Sequence, residues 1–215
     1  MTPYNSMLLR AAAKQSGLDL ASFELALDFV EWTGIMAPVM ALERARGLKA
    51  NTVSAILVDD PSWSRNYQEC RIALETAVRY QHSSGDALVR LLFSALTGEP
   101  APQELHIASF ERQFPREIMR LPVVSAVKQM RRSSGWSYIC AFSNSLKHMS
   151  LMEHEFSIGL GVESRGLTFR AFEFKGCTYP ACSQDEFDRI LTGASDQLAT
   201  VLNALRCHLD PAGSG

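Results

Sequence analysis

Residues 136–154 read WSYICAFSNSLKHMSLMEH, and the reading of this stretch decides what kind of fold the chain has. At 100° per residue, Ile139, Phe142, Leu146 and Met149 fall on one stripe, with Tyr138 beside it, so the spacing predicts an amphipathic helix. Ser133 or Ser134 supplies the N-terminal cap, next to Gly135. Asn144 and His148 are four residues apart and share a face roughly opposite the stripe, and Lys147 lies to one side. Trp136, Cys140 and Leu151 border that face and make it less polar than a pure solvent face. Two placements follow. A helix buried on one side only leaves Asn144, Lys147 and His148 in water; a helix in the middle of a bundle, or at a dimer interface, puts them in a cleft.

The chain around this helix has 215 residues, 47% of them hydrophobic and 20% charged. That suits one folded domain over 1–215 and excludes a disordered chain. The start, MTPYNSMLLRAAAK, lacks the basic region and apolar core of a secretory signal. The most apolar run, Gly34 to Leu42, is short and holds Pro38, so no membrane partner is expected. Five scattered cysteines, Cys70, Cys140, Cys177, Cys182 and Cys207, suit reduced thiols in a cytoplasmic protein. Cys177, Cys182, Cys207 and His208 have poor spacing for zinc, so neither metal nor cofactor is expected.

Net charge is −2, but it is unevenly spread. Residues 1–110 hold nine Lys/Arg against twelve Asp/Glu, 111–148 hold seven against two, and 149–215 hold five against nine. The basic block comprises Arg112, Arg116, Arg120, Lys128, Arg131, Arg132 and Lys147. Such a block beside a histidine is a footprint for a phosphate-bearing ligand, RNA included, with Lys128, Arg131 and Arg132 as its nucleic-acid contacts. An exposed helix face balanced by acidic neighbours produces the same pattern. His82, His106, His154 and His208 lack partners at helical spacing, and Ser143 and Ser145 sit in no nucleophile-elbow sequence.

Further out, residues 18–33 repeat helically through Leu20, Phe23, Leu27 and Val30, and Pro38 argues against one uninterrupted helix to Arg46. Asp60-Pro61 is a helix start; the helix runs to Gln81, and Ser83–Asp86 either breaks it or is absorbed. Residues 98–104 are a loop, the one plausible hinge. Pro115 and Pro122 divide the next region into short helices ending near Arg132. Alternation at Phe156, Ile158, Leu160 and Val162, a turn at Glu163–Gly166, and renewed alternation from Leu167 indicate antiparallel strands. The parity switch at Phe172 and Phe174 marks a bulge or an ending strand, and residues 177–182 add a short one. Ser183 with Glu186 three residues on forms a capping box for a last helix to His208. The expected fold is mainly α, a helical bundle with a small antiparallel β element at about 155–182, inserted before the C-terminal helix, and a loose tail at 209–215.

Ser134-Gly135-Trp136-Ser137-Tyr138 followed by Phe142-Ser143-Asn144-Ser145-Leu146-Lys147-His148, then a hairpin and a last helix, resembles the HEPN-like superfamily, specifically its prokaryotic members carrying Asn-x-x-Lys-His. The resemblance implies a helical core that dimerises. In the active ribonucleases of that superfamily, an Arg-x4–6-His motif from each protomer meets across the interface; the histidine assists proton transfer and the arginine binds the scissile phosphate, without metal. Here His148 matches the histidine and Asn144 the polar residue after the arginine. The arginine itself is missing, because positions 141–143 are Ala141, Phe142 and Ser143. Lys147, or Arg131 and Arg132, would have to supply the cation, and lysine cannot make arginine's bidentate phosphate contact.

The resulting expectation is a HEPN-like homodimer that acts on or binds RNA or a nucleotide, as a metal-independent endoribonuclease of stress or phage defence with His148, Asn144 and Lys147 catalytic. The alternative is a non-catalytic helical dimer that binds a partner protein or a small ligand.

Overall fold

The computed structural model describes residues 4–148, 152–157 and 166–210. Eight helices are described: α1 Ser6–Gln15, α2 Leu20–Glu31, α3 Ala37–Leu57, α4 Ser62–Thr97, α5 Phe110–Gln113, α6 Pro122–Arg132, α7 Ser134–His148 and α8 Gln184–Leu209. Five short strands stand between α7 and α8: β1 His154–Ser157, β2 Gly166–Phe169, β3 Phe172–Phe174, β4 Cys177–Tyr179 and β5 Cys182–Ser183. The mainly α fold with a small antiparallel element before the C-terminal helix is therefore present. Its elements group into two compact units, Met1–Ile35 with His82–Ser133 and Ala194–Gly215, and Met36–Gln81 with Ser134–Gly193. The loop at 98–104 lies wholly within the first unit and does not divide the two.

In the first unit, Asn5 caps α1 by accepting from the backbone N–H groups of Met7 and Leu8. Arg10 ties α1 to α2 through Asp28 at 2.6 Å and Glu31 at 2.8 Å. Leu9, Leu27, Leu88, Leu92, Phe110 and Val127 are among its fully buried side chains. Gly98 ends α4 at φ +74°, a left-handed conformation that glycine adopts without steric cost. Arg90 fastens the chain beyond it, donating from Nε to the Leu105 carbonyl at 3.1 Å and from its terminal nitrogen to the Gln103 carbonyl. Asp86 accepts from the Ile107 backbone N–H at 2.9 Å and faces His106 Nδ1 at 3.2 Å.

Pro38 does not break its helix. Leu20–Leu57 is continuous over 38 residues, because the turn Trp32–Met36 widens to a π-helix immediately before the proline. In a regular helix Pro38 would clash with the carbonyl of Gly34, four residues back, and could not donate to it. The wider turn relieves the clash, and Ser195 Oγ donates to the Gly34 carbonyl at 2.9 Å. By length and composition this helix could cross a membrane, although Phe23, Leu27, Val30, Leu42 and Ala45 on it are buried inside the protein. The segment Ser83–Asp86 is absorbed without interruption into the 36-residue α4, whose start is capped by Asp60 Oδ1 accepting from the Ser62 N–H at 2.8 Å.

In the second unit β2 is the centre of a three-stranded antiparallel sheet, with β1 on one side and β5 on the other. His154 faces Phe169, and Ser157 faces Gly166. The turn expected at Glu163–Gly166, and Ile158, Leu160 and Val162 of the first strand, fall outside the described residues apart from Gly166 itself. The parity switch is a true strand end: β3 and β4 form a separate two-stranded hairpin. Ser183 and Glu186 make the capping box reciprocally, Ser183 N–H to Glu186 Oε2 at 2.8 Å and Glu186 N–H to Ser183 Oγ at 3.3 Å. Lys49–Asp185, at 2.9 Å, and Arg46–Asp188 tie α3 to the start of α8.

Candidate functional site around helix α7

Helix α7 is buried over most of its circumference. Ile139 and Phe142 of the expected stripe are fully buried, Leu146 is half-buried, and Met149 lies outside the described residues. Burial extends beyond the stripe to Trp136, Tyr138, Ala141, Ser143 and Ser145. The cause is the aromatic cluster of the second unit. Phe142 meets Phe169 and Phe187 edge-on, each at 4.9 Å between ring centroids, and Tyr138 meets Phe172 at 5.6 Å and Phe187 at 5.8 Å. Burial raises the Tyr138 hydroxyl above its ordinary pKa and pushes the Cys182 thiol up to about 12.

What remains is a narrow polar seam along α7. Ser137 is exposed, Cys140 and Asn144 are half-buried, and Lys147 and His148 are exposed. Asn144 turns back on its own helix, its amide donating to the Cys140 carbonyl at 2.7 Å. Lys147 and His148 occupy the last turn, where the Lys147 cation complements the helix dipole, and neither side chain makes a hydrogen bond or ion pair with another described residue. Asn144 and His148 lie four residues apart along this seam, with Lys147 to one side. Of their apolar border, Trp136 is buried within the single chain, while Leu151 lies outside the described residues.

The missing arginine has a structural counterpart. At 141, 142 and 143, the positions from which an Arg-x4–6-His motif would project its cation, the exposures are 1%, 0% and 1%. This helix points all three inward.

The basic block, Lys147 excepted, belongs to the first unit, whereas Asn144, Lys147 and His148 belong to the second. Arg131 is held by Glu111, donates to the Ala108 carbonyl at 3.2 Å and lies over the Phe110 ring at 5.7 Å. Lys128 reaches the Met119 carbonyl at 3.3 Å. Arg112, Arg116, Arg120 and Arg132 are exposed. Two of the three residues expected to contact nucleic acid thus hold local structure, and Arg132 remains open.

Among the described residues no group of three His, Cys, Asp or Glu side chains could hold a metal ion. None of the five cysteines is in a disulfide. Buried Cys70, pushed up to about 11 by desolvation, donates to the Ala45 carbonyl at 3.4 Å and to Gln184 Oε1 at 3.6 Å.

One feature of the first unit escaped the sequence. A cavity of about 450 Å³ opens between the α1–α2 turn and the end of α4, with Phe23, Leu91 and Ala95 among its apolar lining and Asp19, Arg90 and Glu99 at polar positions. Its volume suits a small organic ligand. The available signal was a pair of glycines that themselves line it, Gly17 after α1 at φ +77° and Gly98 after α4 at φ +74°.

Compared with known proteins, the chain matches no family model, no curated protein and no solved structure.

Proposed function

We propose that this protein is a non-catalytic helical binding module with a HEPN-like motif helix, rather than a ribonuclease. The observation that carries this reading is the burial of positions 141–143, which leaves His148 without a phosphate-binding cation at motif spacing. Asn144 adds to it, since its amide is engaged by its own helix. A lone exposed imidazole beside a lysine can exchange protons, but it does not orient a scissile phosphate. The ligand-sized cavity of the first unit gives such a module a place for a small molecule.

A second reading, RNA binding by the basic block, is favoured by the exposure of Arg112, Arg116, Arg120 and Arg132. The two readings are separated by equilibrium binding of labelled single-stranded RNA to the wild type and to an Arg116→Glu/Arg120→Glu/Arg132→Glu variant over a salt series. The module reading expects no saturable binding near physiological salt. The RNA reading expects affinity to fall with salt, with a log–log slope of roughly −0.7 per neutralised phosphate, and the slope to flatten in the variant.

A further inference from the structure

The cavity between the α1–α2 turn and the end of α4 lies wholly within the first unit and gathers charges of both signs that no described residue neutralises. Arg90, half-buried on its wall, is fixed by the Leu105 and Gln103 carbonyls. Those anchors carry no formal charge. Arg90 has no ion-pair partner among the described residues, and its Nη1 makes no hydrogen bond with any of them. Asp19 stands at the N-cap position of α2, where an aspartate ordinarily accepts from the backbone of the first turn. Here its side chain caps nothing and accepts instead from the Ser22 hydroxyl at 2.6 Å. Glu99 stands just past the end of α4, next to the negative end of the helix dipole, where a carboxylate does not help the helix. Its carboxylate has no partner among the described residues. Asp19 and Glu99 thus line the same cavity as Arg90, yet neither forms an ion pair with it. Much of the remaining lining is apolar, including buried Phe23, Leu91 and Ala95.

We infer that this cavity binds a small zwitterion with an apolar body, of the α-amino acid type, with its carboxylate on Arg90 and its ammonium toward Asp19 and Glu99. The inference rests on the binding-module reading and names the ligand class of that module. Three rival classes each leave a charge worse off. A phosphate or nucleotide meets one cation and two carboxylates here, so repulsion outweighs attraction. An organic cation with no acid group brings a like charge toward Arg90 and leaves that guanidinium unpaired. A neutral apolar ligand displaces water from half-buried Arg90 and returns no partner for it. A ligand bearing both signs answers Arg90 and the carboxylates together. Because backbone carbonyls already hold the guanidinium, it loses little freedom on meeting a ligand carboxylate, and its planar shape suits that group. The volume of about 450 Å³ is toward the small end for ligand pockets, which suits a molecule of amino-acid size.

The test is isothermal titration calorimetry on the full chain with L-leucine and L-phenylalanine. Each is run beside its analogue without the amine (isocaproate, hydrocinnamate) and its analogue without the carboxylate (isoamylamine, phenethylamine). The expected result is saturable binding of at least one amino acid, with both of its analogues weaker by about tenfold or more. Asp19→Asn/Glu99→Gln, at two exposed positions, should weaken the amino acid about tenfold while the amine-free analogue binds at least as well as before. Arg90→Gln should weaken the amino acid too. Since Arg90 also anchors Gln103 and Leu105, the Asp19/Glu99 variant, with unchanged circular dichroism, decides the matter should Arg90→Gln fail to fold. Three results would each overturn the inference: no saturable binding of either amino acid, an analogue that binds as tightly as its parent, or unchanged amino-acid affinity in Asp19→Asn/Glu99→Gln. An analogue that binds as tightly changes the ligand class and keeps the binding module, whereas the module reading itself fails on RNA cleavage that depends on His148.

Discussion

Ser195 donates a hydrogen bond to the backbone carbonyl of Gly34 at 2.9 Å, across 161 residues of sequence. This contact answers the carbonyl that Pro38 leaves without its α-helical donor, and with the π-turn at Trp32–Met36 it lets one helix run from Leu20 to Leu57. Ser195→Ala should destabilise the protein by about 1–2 kcal/mol, because a buried acceptor loses a donor. Gly34→Ala should cost more. A Cβ there would lie 2.5 Å from Leu198 Cδ1 and 2.9 Å from Ser84 Cβ, and such overpacking costs on the order of 1–3 kcal/mol or above. Chemical denaturation of the two variants checks both the values and their order.

Helix α7 separates packing from chemistry. Phe142→Ala, at a fully buried ring within the aromatic cluster, should cost about 3–5 kcal/mol, whereas His148→Ala, on the exposed last turn, should stay within about 0.5 kcal/mol. Thermal unfolding of the pair tests this. A large loss at His148 would make it a structural residue.

The capping box at the start of α8 carries a pH signature. Glu186 is held below the usual carboxylate range, first by the Ser183 backbone N–H and then by its hydroxyl. A carboxyl whose folded pKa is depressed contributes stability that is fully present above its unfolded pKa. That contribution is lost as pH falls through the lower, folded value. Ser183→Ala should therefore cost about 1 kcal/mol at neutral pH, with the gap from wild type narrowing below about pH 4. Melting temperatures of the two proteins across the acid range measure it; a gap that widens on acidification would contradict the assignment.

The thiols should titrate in order of exposure. Cys177 and Cys207 are exposed and should react promptly with a colorimetric disulfide reagent, while half-buried Cys140 should be slower. Cys70 and Cys182, pushed up to about 11 and about 12 by burial, should react only on unfolding. Rapid modification of Cys182 in the native protein would mean that the aromatic cluster opens readily.

What could be read from the sequence was local. The capping box at Ser183 and Glu186, the Asp60 start of α4 and the helix over α7 each depend on residues within a few positions of one another, and each is present. Asn144, Lys147 and His148 were placed together for the same reason. Pro38 was misread because the donor that rescues its turn, Ser195, lies in a different helix. The sequence also could not tell that Arg131 faces Glu111, 20 residues away, or that Trp136 is covered inside the chain. Those facts depend on tertiary contacts, and they bear on the proposed function: the helix whose polar face the sequence left either in water or in a cleft shows a thin polar seam, with positions 141–143 turned inward.

The central claim, that helix α7 is not a nuclease centre, is tested most directly by single-turnover incubation of labelled structured and single-stranded RNA with excess protein in chelator, for the wild type and His148→Ala. The account predicts intact RNA with both proteins. Wild-type cleavage that His148→Ala abolishes, with both proteins equally stable, would contradict it and restore His148 as a catalytic residue.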